Sequence, residues 1–114
     1  MAYQDRYVAV DEQHLVIKGY YFPGTTKRIP LASIRSVRRS EMGAIRGKAR
    51  IWGTANPRYW ANFDPGRPKK TVAFVVDAGK AVRPFLTPDD PVAFEAALRD
   101  KGVDVTERGS APIV

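Results

Sequence analysis

Short apolar stretches separated by polar turns recur up to residue 86, and they predict β-strands. Tyr7–Val10 and Leu15–Ile17 are rich in β-branched and aromatic residues, and the four polar residues between them predict a hairpin. We expect the second strand to continue to Phe22, where Pro23-Gly24 supplies a turn. The chain is therefore expected to begin with an antiparallel pair of strands.

The next stretch has a less regular pattern. Lys27–Leu31 is typical of a short extended piece, and a further strand is expected over Ile34–Arg39. Because Ile34 and Val37 are three positions apart, we expect a turn or half-helical step over Leu31–Ile34 that leads into this strand. Residues 42–50 have no clean period and contain two glycines, which favours an irregular loop.

Two more strands and one clear hairpin are predicted before residue 87. Arg50–Thr54 and Arg58–Phe63 have the composition of strands on either side of a turn at Asn56-Pro57. After a turn over residues 64–68, Thr71–Asp77 and Ala81–Leu86 form the clearest hairpin of the chain.

One helix is predicted, over residues 91–101. Asp90 is suited to cap its first amides and Pro91 to its first position, while Gly102 is suited to end it. Phe94, Ala97 and Leu98 have the i, i+3, i+4 spacing of one apolar helix face. The sequence thus predicts a mainly β domain with one C-terminal α-helix.

This order of elements resembles bacterial pleckstrin-homology-like (PH-like) domains. The resemblance rests on residues 28–37, on the strand Val72–Asp77, and on residues 86–91 followed by Phe94 and Leu98. It implies a seven-stranded, strongly bent antiparallel sheet or barrel capped by the helix. Residues 1–102 would form this single domain, with residues 103–114 as a tail that is either loose or an added edge strand.

The resemblance is a weaker guide to function, because one fold hosts many activities. Some eukaryotic members bind phosphoinositides and others bind proteins. In the lipid-binding members the loop between the first two strands is basic, whereas the matching residues here are Asp11-Glu12-Gln13. This departure argues against the usual headgroup pocket.

The residue types disfavour catalysis and metal binding. Cysteine is absent and His14 is the only histidine, so thiolate chemistry is excluded and the serines have no obvious base. Residues 43–49 look superficially like a phosphate loop, but the glycines are one residue too close and Ala49 stands where a Ser or Thr belongs. Asp89 and Asp90 are explained by helix capping. We therefore expect a non-enzymatic protein with no catalytic residue, metal or cofactor.

Charge is unevenly distributed along the chain. The net charge is +7, and residues 27–70 hold twelve Lys or Arg against only Glu41 and Asp64. Such a segment attracts phosphates, anionic lipid or acidic protein surfaces. The candidate anion- or partner-binding set combines nine of these twelve basic residues with three aromatic ones: Arg35, Arg38, Arg39, Arg46, Lys48, Arg50, Arg58, Lys69, Lys70, Trp52, Tyr59 and Trp60. Alternatively, these charges only solvate the surface and the tryptophans fill the core.

The leading functional prediction is a binding module for an unknown protein, engaged through an exposed sheet edge or a groove beside the helix. The alternatives are peripheral binding to anionic membrane lipid through residues 27–70, and nucleic-acid binding. Homo-oligomers remain open, because a sheet edge can pair with a copy of itself. The longest apolar run, residues 72–76, is far too short to span a membrane, and no signal segment is seen, so we expect a cytoplasmic protein.

Overall fold

The computed structural model describes residues 2–20, 24–41 and 59–108. These contain nine β-strands, one α-helix and two short 3₁₀ turns. The strands are β1 (Tyr3–Gln4), β2 (Val8–Val10), β3 (His14–Lys18), β4 (Thr26–Pro30), β5 (Ser36–Glu41), β6 (Tyr59–Ala61), β7 (Val72–Asp77), β8 (Arg83–Leu86) and β9 (Val105–Arg108); the helix is α1 (Pro91–Asp100). The 3₁₀ turns are Leu31–Ser33 and Arg67–Lys69.

The first sheet is an antiparallel meander in the order β1-β2-β3-β4. Its central pair is the predicted hairpin, closed by Asp11, whose Oδ1 accepts from the amides of Gln13 (2.9 Å) and His14 (2.6 Å). The predicted continuation of the second strand through Gly19 and Tyr20 is wrong. Gly19 has a φ of +66°, in the left-handed region that a strand does not use, so β3 ends at Lys18. Residues 21 and 22 lie outside the described part.

The second sheet has the order β6-β8-β7-β5-β9. Its centre is the predicted hairpin of β7 and β8, with β5 antiparallel to β7. Its two outer strands run parallel to their neighbours, β6 to β8 and β9 to β5. The 3₁₀ turn Leu31–Ser33 is the predicted half-helical step, and it redirects the chain from the first sheet into the second.

The main core lies between the inner faces of the two sheets. Alternate residues of β2 and β3 enter it, including Val8, Val10 and Leu15, each at most 1% exposed. The second sheet contributes Phe74, whose ring contacts Phe94 of α1 at a centroid distance of 4.9 Å. Burial of these apolar side chains is the main force that holds the sheets together.

The helix closes one side of this core. It begins at Pro91 as predicted, with the Asp90 side chain accepting from the Ala93 amide at 3.0 Å, and Gly102 follows its end with a φ of +82°. The predicted apolar face is buried. Because α1 contacts β1, β2 and β9, it covers the β1 edge of the first sheet and the β9 edge of the second.

The mainly β class with a single helix near the C-terminus is confirmed. The resemblance implies seven strands in one bent sheet, whereas the described strands number nine and form two sheets that do not close into a barrel. The turn at Leu31–Ser33 gives the physical reason, because it ends β4 and sends the chain to pair with β7 instead of continuing the meander. No helix in the described ranges is long and apolar enough to span a bilayer.

Candidate functional site

A groove of about 880 Å³ lies at the edge of the sandwich that α1 does not cover. It separates β4, the last strand of the first sheet, from the β6–β8 end of the second sheet. Its described lining is Tyr20, Lys27, Arg28, Ile29, Pro30, Ser33, Trp60, Ala78, Lys80, Ala81, Val82 and Pro84. The sequence prediction placed a groove beside the helix; this one is formed by strands on the other side of the core.

The floor of the groove is apolar. Ile29 and Tyr20 are buried and belong to the main core, and Trp60 packs against that core from β6. The Tyr20 and Trp60 rings have a centroid distance of 6.4 Å, and the Trp60 indole N–H donates to the Tyr20 carbonyl oxygen. The tryptophan is therefore held in one orientation with part of its surface exposed.

The rim of the groove is basic. Lys27 lies with Nζ 5.3 Å from the centre of the Tyr20 ring, in cation–π geometry, while Arg28 follows on the exposed side of β4. Lys80 lies across the groove on the loop between β7 and β8. The described lining contains no acidic residue, so the groove combines an apolar floor with positive potential.

The loop between β7 and β8 has a defined shape. Asp77 Oδ1 accepts from the Gly79 amide at 3.0 Å, and Gly79 has a φ of +78°. A Cβ built on Gly79 would lie 3.3 Å from Nη2 of Arg35, so this guanidinium packs against the loop. The loop thereby presents Val82, which is 41% exposed and is one of two large exposed apolar residues in the described ranges.

The edge of β4 that borders the groove has backbone groups that pair with no described strand. β4 pairs with β3 and with no other described strand. The Leu31 amide donates to Gln13 O (2.8 Å) and the Gly19 amide to Thr25 O (2.6 Å), one at each end of the β3–β4 ladder. Because hydrogen-bonded pairs alternate in an antiparallel ladder, residues 27 and 29 bond to β3. Thr26 and Arg28 therefore point their N–H and C=O groups away from β3.

Two of the basic residues in the predicted set are neutralised within the described part of the molecule. Arg39 Nη1 lies 2.8 Å from Glu95 Oε1, and the hydrogen bond from Arg39 lowers the pKa of that carboxyl group. Lys70 Nζ lies 2.6 Å from Asp64 Oδ2 and 2.8 Å from Asp89 Oδ1. The Arg39 side chain joins β5 to α1, and the Lys70 side chain joins the segment before β7 to those after β6 and β8.

The remaining described members of the set do not converge. Arg38 and Arg39 are consecutive in β5 and point to opposite faces of the second sheet, as do Tyr59 and Trp60 in β6. Arg38 lies on the outer face, where its Nε is buried with no hydrogen-bond partner among the described residues. Lys69 is exposed at the end of the second 3₁₀ turn. Arg35 directly precedes β5, and its guanidinium packs against Gly79 in the β7–β8 loop. Among the described members of the predicted set, Trp60 is the one that lines the groove.

Five members of the predicted set lie outside the described residues: Arg46, Lys48, Arg50, Trp52 and Arg58. The same holds for the predicted loop over 42–50 and the strand over 50–54. Sequence reasoning did not single out Lys27, Arg28, Lys80 or Val82 for the site. No local signal marks them, because the exposure of Val82 and its position near basic residues of another strand are properties of the tertiary fold.

A buried cluster of polar side chains follows β6, and its members hydrogen-bond to one another. The Arg67 guanidinium is fully buried and donates to Asn62 Oδ1 (2.9 Å), Asn62 O (3.0 Å) and Thr87 Oγ1 (3.0 Å). Thr87 Oγ1 in turn donates to Asp64 Oδ2 at 2.8 Å. Burial lowers the pKa of Arg67 to about 10, and the Asp64 charge opposes this shift. The cluster holds the segment after β6 in place and therefore has a structural role.

Comparison with known proteins adds no identification: no family model matches the chain, and neither a curated protein nor a solved structure shows significant similarity to it.

Proposed function

We propose that this protein is a non-enzymatic binding module that takes a segment of a partner protein into the groove. The observation that supports this proposal is an apolar floor of Trp60 and Ile29 beside exposed Val82, under a basic rim. Interfaces of modest size gain most of their affinity from a few apolar anchors, and charge on the rim accelerates encounter. A partner segment with apolar and acidic side chains fits this chemistry.

We further propose that the fold is a variant of the PH-like architecture. Sheets packed around one core, with a C-terminal helix over one edge, agree with the order of elements in that family. In the second sheet, β6 runs parallel to β8 and β9 runs parallel to β5. These two parallel pairs depart from the fully antiparallel sheet that the resemblance implies. The family proposal therefore stands on element order and helix position.

Selection from a random peptide display library tests the proposed function. Purified protein selects peptides, and their dissociation constants are measured for wild type, for Val82→Asp in the groove, and for Val92→Asp on α1. Val92 is 68% exposed and is absent from the described lining, so it is a matched control for adding one charge to an exposed valine. We expect Val82→Asp to weaken binding at least about tenfold and Val92→Asp to leave it unchanged.

Other results would overturn this proposal. Failure to select any peptide, or equal weakening by both substitutions, would remove the groove as a protein-binding site. Co-sedimentation with phosphatidylserine vesicles that fades with salt would favour the lipid alternative instead. Binding of a random oligonucleotide whose affinity falls steeply with salt would favour nucleic acid.

A further inference from the structure

We infer that the partner segment binds as an added antiparallel strand on β4, with apolar side chains directed into the groove and an acidic side chain opposite Arg28. This inference rests on the proposed function and specifies its ligand. It names an extended peptide in which apolar and acidic residues alternate. Three independent features of β4 lead to it: its backbone, the two faces of its side chains, and its charge.

The backbone of β4 supplies the first argument. The N–H and C=O groups of Thr26 and Arg28 point away from β3 and have no hydrogen bond to a described residue. An added strand would pair with them and continue the meander by one strand. Antiparallel pairing suits this edge, because Arg28 would then exchange both of its hydrogen bonds with one peptide residue.

Pro30 limits how far the added strand extends. It is the last residue of β4, and its ring nitrogen has no hydrogen to donate. The 3₁₀ turn Leu31–Ser33 follows immediately and turns the chain out of the strand. The complementary segment is therefore short, roughly five to seven residues, given a rise of about 3.3 Å per residue.

The two faces of β4 set the side-chain pattern of the peptide. Ile29 is buried in the main core and Lys27 lies against Tyr20, so these odd-numbered residues face inward, toward the groove. Thr26, Arg28 and Pro30 face outward and are exposed. Directly opposed residues of an antiparallel pair share a face. Peptide residues beside Ile29 and Lys27 thus point into the groove, and the residue opposite Arg28 points outward.

Charge determines which peptide is favoured. An acidic residue opposite Arg28 forms a favourable cross-strand pair, whereas a basic one repels it. The same rule disfavours a second copy of this chain as the occupant. Antiparallel pairing of two β4 strands about Arg28 would place the two Arg28 side chains opposite each other, with Lys27 of each copy close by.

A synthetic peptide series tests the inference without altering the protein. The probe is acetyl-Thr-Val-Glu-Val-Glu-Val-Thr-amide with a fluorescent label, and binding is followed by anisotropy. Its matched controls replace both glutamates by lysine, or methylate the backbone nitrogen of either the glutamates or the valines. In the inferred pairing the glutamate N–H groups point to β4, and the valine N–H groups point away.

We expect the glutamate peptide to bind, and the lysine peptide and the N-methyl-glutamate peptide each to bind at least about tenfold more weakly. The N-methyl-valine peptide should retain its affinity. Arg28→Glu in the protein should reverse the preference between the glutamate and lysine peptides, while Arg99→Glu on α1 should not. Arg99 is exposed and lies outside the described lining.

Each contrary result has a definite meaning. If methylation of the valines weakens binding more than methylation of the glutamates, the peptide pairs in parallel. If all four peptides bind with equal affinity, no strand is added. Either result would overturn the inference. So would failure of the glutamate peptide to bind. If display-selected peptides still bind in a manner that depends on Val82, the proposed function stands while this inference falls. If they do not, the proposed function fails as well.

Discussion

Gly19 shows how one residue determines the end of a strand. It combines a φ of +66° with close packing, since an added Cβ would lie 2.9 Å from the Cβ of Phe63. No side chain fits there without moving the chain. The segment after β6 is fixed at this point, because the Phe63 amide also donates to the Gly19 carbonyl oxygen at 2.8 Å.

We predict that Gly19→Ala lowers the free energy of unfolding by about 2–4 kcal/mol, from left-handed backbone strain and the steric clash together. Gly24→Ala is the matched control, because Gly24 also has a positive φ, +92°, but a Cβ there would have nothing within 4 Å. The Gly24→Ala variant should lose about 1–2 kcal/mol of its free energy of unfolding, from backbone strain alone. Urea denaturation measures both values, and equal losses would show that the contact with Phe63 has no energetic effect.

Thr87 links the two charged members of the buried polar cluster. Its Oγ1 accepts from Arg67 and donates to Asp64, so Thr87→Val leaves both groups with one fewer partner in a buried site. We predict a loss of about 1–3 kcal/mol in the free energy of unfolding. Thr106→Val, at an exposed position of β9, should change it by less than about 0.5 kcal/mol. Urea denaturation of both variants checks this, and a similar small change in the two would contradict the structural role of the cluster.

The buried arginine marks a limit of sequence reasoning at this scale. Asp90 as helix cap was predicted correctly because its signal is local: an acidic residue directly before proline and an apolar helix face. Arg67 gave no such signal, since it lies close to Lys69 and Lys70 in a segment typical of a charged surface. Its burial depends on Thr87, twenty residues away, which only the tertiary fold brings near.

The helix depends on its first turn. Asp90 accepts from the Ala93 amide and precedes Pro91, while the Asp90 amide itself donates to the Tyr3 hydroxyl at 3.0 Å. We predict that Asp90→Ala lowers the free energy of unfolding by about 1 kcal/mol, and that Asp90→Asn retains most of the stability, because asparagine caps almost equally well. Thermal or urea denaturation measures both, and an equal loss in the two variants would show that capping is not the source.

Pairing between distant strands could not be predicted. The hairpins of β2 with β3 and of β7 with β8 were confirmed because each follows from two apolar runs and the turn between them. The parallel pairs of β6 with β8 and β5 with β9 join strands with other elements between them, and periodicity carries no information about such partners. The division into two sheets follows from these distant pairs.

At the scale of the whole molecule, Asp5 connects the first sheet to the start of the helix. Its carboxylate accepts from the amides of Tyr7 (2.7 Å), Val8 (2.9 Å) and Asp89 (2.8 Å), and from the Tyr3 hydroxyl. Burial acts to raise the pKa of Asp5, but these hydrogen bonds outweigh it and hold the pKa below the ordinary value of 3.8. The charged form is therefore the one that the fold stabilises.

The sign of the pH dependence follows from this lowered pKa. Asp5 contributes its full stability above pH 3.8, and this contribution is lost as pH falls through the lower pKa of the folded state. We predict that Asp5→Asn is less stable than wild type near pH 6, and that the difference shrinks as the pH falls below 3.8 and through the lower pKa of the folded state. Urea denaturation across this range checks it; Asp104→Asn, at an exposed position, is the control. A difference that does not change with pH would contradict the role of the Asp5 charge.

The candidate site shows which of its features can be predicted from composition. The charge count correctly identified an uneven basic distribution, but it cannot tell which charges share a surface, since that depends on strand parity and on ion pairs. Arg39 and Lys70 turned out to bind carboxylates within the described molecule, and Lys27 and Arg28 turned out to border an apolar groove. The groove exists because β4 and β6 are edges of different sheets, an arrangement with no local sequence signal.

The proposed function and the inferred strand pairing both place the partner along β4 and the β7–β8 loop. Titration of the ¹⁵N-labelled protein with a display-selected peptide tests it most directly, by mapping amide chemical-shift changes. We expect the largest changes at Thr26, Arg28 and Val82 and at the indole N–H of Trp60. Changes concentrated instead on the exposed face of α1, around Val92 and Ala96, would contradict it.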